Sequence, residues 1–465
     1  SSLKEWYAPF ALLPTGWAAD VRLLVDDGGN IVATELLDDG ETLPPQSAHL
    51  GGPVIPGFPN VHSHAFQRGM AGLAEWRATE TDSFWSWRET MYRFVELLEP
   101  DDILAIAEFL YCELLTCGYT SVGEFHYLHR DTQGRPFDDP AELSHAMLRA
   151  GEASSIGVTL LPTLYTHGGC GNQPLQPAQQ RFRTSGEDIL QIYEAVRSTW
   201  GASQRHRVGI AAHSLRAIDP ADFKMLLEEV ERIDPTSPVH LHIAEQQREV
   251  DECLAWSGQR PIAWAAEHLP LGPNWCLIHA THMMTAEVEA IVQAGAIVGV
   301  CPTTEANLGD GVFPARRFVS EGGNFGIGSD SHVSVSPLEE LRLLEYLQRL
   351  VYQQRNVLAD DGLSTGRAVA DQAWAAGARA CGRPLGKLAA GHRADFLVLN
   401  AAHPLFESRT GDALLDTLIF AGDPSMIDAV YVGGVCVVSQ GVHPAMERAQ
   451  QRFGEAMRRL LPRLA

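Results

Sequence analysis

Eight short apolar runs, each closed by turn residues and followed by a stretch long enough for a helix, constrain the fold of this chain more than any other feature. They are "PVIPGFPNVHSH", "YTSVGEFHY", "IGVTLLPTLY", "RVGIAAHSL", "PVHLHIAE", "WCLIHATH", "AIVGVCPTT" and "FGIGSDSH". Helical patterns such as "DDILAIAEFLYCELLTCG" and "PADFKMLLEEVERI" lie between them, with acidic residues in the first turn, where the helix dipole favours negative charge. Eight strand–helix units are the count of a (β/α)8, TIM-like barrel, in which working residues gather where the carboxyl ends of the strands open at one mouth.

The ends read differently. "VRLLVDDGGNIVATE" predicts a hairpin around "DDGGN", and "RADFLVLN" with "IDAVYVGGVCVVSQG" predicts further strands after the barrel. The expected fold is therefore α/β: a barrel over residues 57–382 beside a small β-sandwich domain built from both termini, residues 1–56 and 383–465. The last segment, "MERAQQRFGEAMRRLLPRLA", is basic and amphipathic and is expected to pack as a helix rather than anchor in a membrane.

Composition removes several classes of function. A chain of 465 residues at 45% hydrophobic content can bury a large core, in one large domain or about two. Its 58 acidic and 35 basic side chains give a net charge of −23, which repels a phosphate backbone, so nucleic acid is not an expected partner. Eight cysteines without a CxxC pair suggest neither a disulfide framework nor a zinc knuckle, which fits a reducing cytoplasm. The opening "SSLKEWYAPFALLPTGWAADV" lacks a basic segment leading into an apolar one, and no stretch approaches about 18 unbroken apolar residues, so neither export nor membrane spanning is expected.

The polar residues at the ends of the eight runs carry the chemistry. The first ends in His62 and His64, the fifth in His242 with Glu245 three residues on, the sixth in His279 and the eighth in Asp330. In a barrel all six meet at one mouth. Three imidazoles and a carboxylate form a donor set suited to zinc or ferrous iron. His240 lies two residues deeper than His242 and reads as a core or supporting residue, while His282 and His332 flank the site and read as groups that orient it.

The motifs "PGFPNVHSH", "HLHIAE", "LIHATH" and "GIGSDSH" resemble, in this order and over nearly the whole chain, the amidohydrolase superfamily. Two-metal members bridge their ions with a carboxylated lysine at the end of strand four; here the only lysines are Lys4, Lys224 and Lys387, and strand four ends "AAHSLR". The resemblance is therefore to the one-metal deaminase branch. It implies one divalent metal per chain, Zn2+ or Fe2+, held by His62, His64, His242 and Asp330, and a homodimer. Within that branch, "NVHSHAFQRGMAG", "GEFHYLH" and "HSLRA" are most similar to deiminases of a linear amidine. This implies conversion of N-formimidoyl-L-glutamate to N-formyl-L-glutamate and ammonia in histidine degradation, with Gln67, Arg88, Tyr127, His213 and Arg216 holding the substrate.

Arginines suit such a small anionic substrate, because a planar guanidinium binds a carboxylate bidentately. Arg93, in "FWSWRETMYRF", is a rival to Arg88. For catalysis, Asp330 and His279 are expected to take the proton of the attacking water and orient its oxygen, and Glu245 to protonate the leaving nitrogen. A purine, pyrimidine or triazine deaminase or chlorohydrolase of the same branch is the alternative, for which Trp85 and Trp87 could stack on a flat ring.

Overall fold

The computed structural model describes residues 2–465. Eight parallel strands form the barrel: β1 (Phe58–Ser63), β2 (Tyr119–His126), β3 (Gly157–Leu164), β4 (Ile210–Ala212), β5 (Val239–Ile243), β6 (Trp275–His279), β7 (Ile297–Val300) and β8 (Phe325–Ile327). Each coincides with one of the eight apolar runs, and nearly every residue in them is buried, as helices on the outside of a parallel sheet require. Just past β8 the barrel closes. A bridge pairs Ser63 with Asp330, the Asp330 N–H donates to the His62 carbonyl at 2.9 Å, and the His64 N–H donates to the Asp330 carbonyl at 3.1 Å.

The first apolar run divides between two sheets. Val54–Pro56 pairs with terminal strands, whereas Phe58–Ser63 enters the barrel. Gly57 is the joint: a Cβ there would lie 2.2 Å from the Thr120 hydroxyl oxygen. Strands from both termini then build one continuous seven-stranded sheet enclosing its own apolar cluster, which includes Val21, Leu23, Phe396 and Val398. Its hairpin at Asp26–Asn30 is the expected one, with the Asp26 carboxylate accepting from the Asn30 N–H at 2.9 Å. A further strand, Lys4–Leu13, lies inside this sheet and pairs antiparallel with Gly16–Val25.

Two helices matter for the site. α1 (Phe84–Val95) follows the β1 loop and lies against the mouth; α2 (Pro100–Thr116) packs outside the barrel. The terminal helix Met446–Leu460 covers α2, with Phe453 4.4 Å from Phe109 between ring centroids and with Arg452 and Arg459 paired to Glu108 and Asp102. Among the described residues no helix is long and apolar enough to cross a membrane.

Candidate active site

The strand ends bring His62, His64, His242, His279 and Asp330 together beneath one cavity. Nε2 of His62 and of His64 each lie 3.3 Å from Asp330 Oδ1, and Nε2 of His242 lies 3.0 Å from Nε2 of His62. His279 Nε2 is 3.5 Å from Asp330 Oδ2 and 3.4 Å from Glu245 Oε2. All are buried. Burial holds the His62, His64 and His242 imidazoles below their ordinary pKa, so they stay neutral with lone pairs available. Three neutral nitrogens and one carboxylate converging this closely fit a divalent cation, whose charge resolves the crowding of lone pairs.

The backbone at these positions is unusual. Ala244, His279, Ala280, Asp330 and His332 all take positive φ, between 46° and 76°, a region non-glycine residues seldom occupy. Cross-strand hydrogen bonds hold the conformation, including Ala280 N–H to the Ile243 carbonyl at 3.0 Å.

Supporting groups fix the ring orientations. His64 Nδ1 donates to the Phe125 carbonyl at 2.9 Å, and His279 Nδ1 donates to Glu305 Oε2 at 2.8 Å, leaving each Nε2 to face the centre. Glu124 accepts from Ser63 Oγ at 2.8 Å and from the Ala65 N–H at 2.9 Å, strapping the chain on both sides of His64. His332 lies between the hydroxyls of Ser63 and Ser329, and His282 Nε2 donates to the Asp310 carbonyl. His240 turns away, toward the Ala380 carbonyl. Sequence reasoning had not singled out Glu124, Glu305 or Asp310.

The cavity above this cluster is lined by Gln67, Arg88, Tyr127, His213 and Arg216, together with Glu245 and several aromatic rings. Arg93 is not among the lining residues; its guanidinium lies 3.5 Å from Thr90 Oγ1 at an exposed position. Arg88 sits over the rings of Trp85 and Tyr92, at 4.8 and 5.2 Å from their centroids, and Arg216 is 5.5 Å from that of Trp85. Trp85 thus backs the guanidiniums, while Trp87 lines the cavity. Among the described residues neither Arg88 nor Arg216 makes an ion pair or side-chain hydrogen bond, and Arg88 Nε is buried without a partner. Gln67 Nε2 donates to the Tyr127 hydroxyl at 3.2 Å, leaving its buried Oε1 unpartnered.

The amidohydrolase family profile matches residues 54–437. The chain belongs to the amidohydrolase family. A formimidoylglutamate deiminase of Pseudomonas aeruginosa is 49% identical to this amidohydrolase over 456 residues, 98% of this chain and 99% of its own length. An 8-oxoguanine deaminase of the same organism is 28% identical over 406 residues, 85% of this chain and 84% of its own. Among solved structures, an amidohydrolase from Brucella melitensis superposes with a TM-score of 0.92 at 44% identity, covering 98% of this chain and 99% of its own.

Proposed function

We propose that this amidohydrolase converts N-formimidoyl-L-glutamate to N-formyl-L-glutamate and ammonia in histidine degradation. The observation that carries the reading is the pair of unpartnered guanidiniums, Arg88 and Arg216, in the cavity that also opens onto the His/Asp donor cluster. A planar guanidinium binds a carboxylate bidentately, and a substrate with two carboxylates supplies one for each arginine. The similarity to the P. aeruginosa deiminase supports the same substrate.

In this reading His62, His64, His242 and Asp330 hold one divalent ion, Zn2+ by donor type, with Fe2+ also compatible. Such an ion, when bound, acts as a Lewis acid and lowers the pKa of water toward about 7. Asp330 takes the proton of the attacking water. The His279 imidazole, anchored through Nδ1 to Glu305, turns Nε2 toward the attacking oxygen and orients it. Burial pushes the Glu245 carboxyl up to about 7, which suits a group that both delivers a proton to the imino nitrogen and takes one back near neutrality. Asp330 returns the water proton to the same nitrogen, the carbon–nitrogen bond breaks as Glu245 takes up the remaining hydroxyl proton, and ammonia leaves, the formyl oxygen coming from water. Arg88 and Arg216 grip the carboxylates, Gln67 Oε1 accepts from the substrate N–H, and Tyr127 and a neutral His213 complete the cradle.

The reading carries with it a cytoplasmic enzyme and a homodimer, the latter tested by light scattering of the purified protein. Ammonia release by the purified protein from formimidoylglutamate, guanine, cytosine and adenosine tests the whole. Turnover of a heterocycle with none of formimidoylglutamate overturns it.

A further inference from the structure

Gln179, fully buried in the short turn Pro177–Phe182, aims both of its amide N–H donors at phenol oxygens. Its Nε2 lies 3.1 Å from the Tyr92 hydroxyl and 3.0 Å from that of Tyr165. The orientation of the amide is fixed, because Oε1 accepts from the Gln176 N–H at 2.8 Å. Each phenol oxygen therefore accepts from Gln179 and still carries its own proton. One phenol can donate to the other, but not both at once. At least one phenolic proton is left over, and both rings line the active-site cavity. Burial keeps the Tyr165 phenol well above its ordinary pKa, so that proton stays on. Tyr92 stands four residues after Arg88 on α1, on the same face, with the Arg88 guanidinium 5.2 Å from its ring centroid.

We propose that the Tyr92–Tyr165 pair, held by Gln179, is a further substrate-binding element whose spare phenolic O–H donates to one substrate carboxylate beside Arg88. This rests on the dicarboxylate reading above. It makes selectivity for that carboxylate a property of a guanidinium and a phenol together rather than of a guanidinium alone, and it makes the two phenols interchangeable. With either ring changed to phenylalanine, the remaining hydroxyl still accepts from Gln179 and still has a proton to give.

The test uses Tyr92→Phe, Tyr165→Phe and the double variant as metal-loaded enzyme. The substrates are N-formimidoyl-L-glutamate, N-formimidoyl-4-aminobutyrate, which lacks the α-carboxylate, and N-formimidoyl-L-norvaline, which lacks the side-chain carboxylate. Each single variant is expected to change KM for the glutamate substrate by less than about threefold. The double variant is expected to raise it by about tenfold or more with kcat nearly unchanged, since a hydrogen bond to a charged group is lost. Such non-additivity marks the shared role. On one of the two monocarboxylates the loss is expected to vanish, which identifies the carboxylate held.

Gln179→Glu provides an independent variant. A carboxylate accepts from both phenols and withdraws the spare proton, so the same substrate-selective rise in KM is expected with both tyrosines in place. Wild-type KM in the double variant or in Gln179→Glu, or equal losses on all three substrates, overturns the assignment. A wild-type protein inactive on every formimidoyl substrate overturns instead the functional reading beneath it.

Discussion

His242→Ala deletes one of three imidazole nitrogens converging beside Asp330, so metal and activity are expected to disappear together, as elemental analysis of the purified variant checks. Glu245→Gln behaves differently. The amide keeps the shape but cannot relay a proton, so metal content is expected to hold at one ion per chain while kcat falls about 10²–10⁴-fold. Replacing Arg216 or Arg88 with methionine is expected to lower kcat/KM for formimidoylglutamate roughly tenfold to hundredfold, again without metal loss. Equal losses on a substrate lacking the corresponding carboxylate would show that the arginine acts through structure. The histidines and Asp330 are legible in the sequence because each ends an apolar run. Glu305 is not: five residues past β7, it reads as an acid in the first turn of the helix Pro302–Leu308, and only the fold turns it onto His279. The choice between Arg88 and Arg93 also needed the structure, since five residues along a helix rotate a side chain by about 140° and four bring it back to the same face.

At the scale of elements, the barrel strands stand out because a parallel strand buried on both faces is a continuous apolar run. The terminal sheet is less legible. Lys4–Leu13 contains Pro9, which argues against an interior strand, yet it lies inside the sheet because its pairing register passes directly from Ala8 to Phe10. The division of the first apolar run is equally hidden, since nothing but a glycine separates two strands that belong to different sheets. Gly57→Val tests that joint: its Cβ would overlap Thr120, and an overpacked contact of this kind costs about 1–3 kcal/mol. The expected outcome is a lower Tm in a thermal melt, with unchanged ligands and a weakened attachment of the terminal sheet.

On the scale of the whole molecule, the terminal helix reads correctly as a packing helix, but its partner does not, because basic and acidic faces many residues apart carry no mark of which meets which. Removing residues 446–465 strips the cover from α2 and leaves the buried carboxylate of Asp102 without Arg459. A fall in Tm on the order of several degrees is expected, with metal content unchanged, because the helix lies on the outer face of α2. The closure of the barrel has a consequence in time. The backbone hydrogen bonds that fasten its last strand to its first run through His62, His64 and Asp330 themselves. During synthesis the two earliest donors therefore wait, as half a site, until residue 330 has left the ribosome. The nascent chain offers no complete coordination shell to whichever cation it meets first. Ion binding at these donors is thereby tied to closure of the finished barrel, so that a chain stalled before residue 330 is expected to hold no ion there.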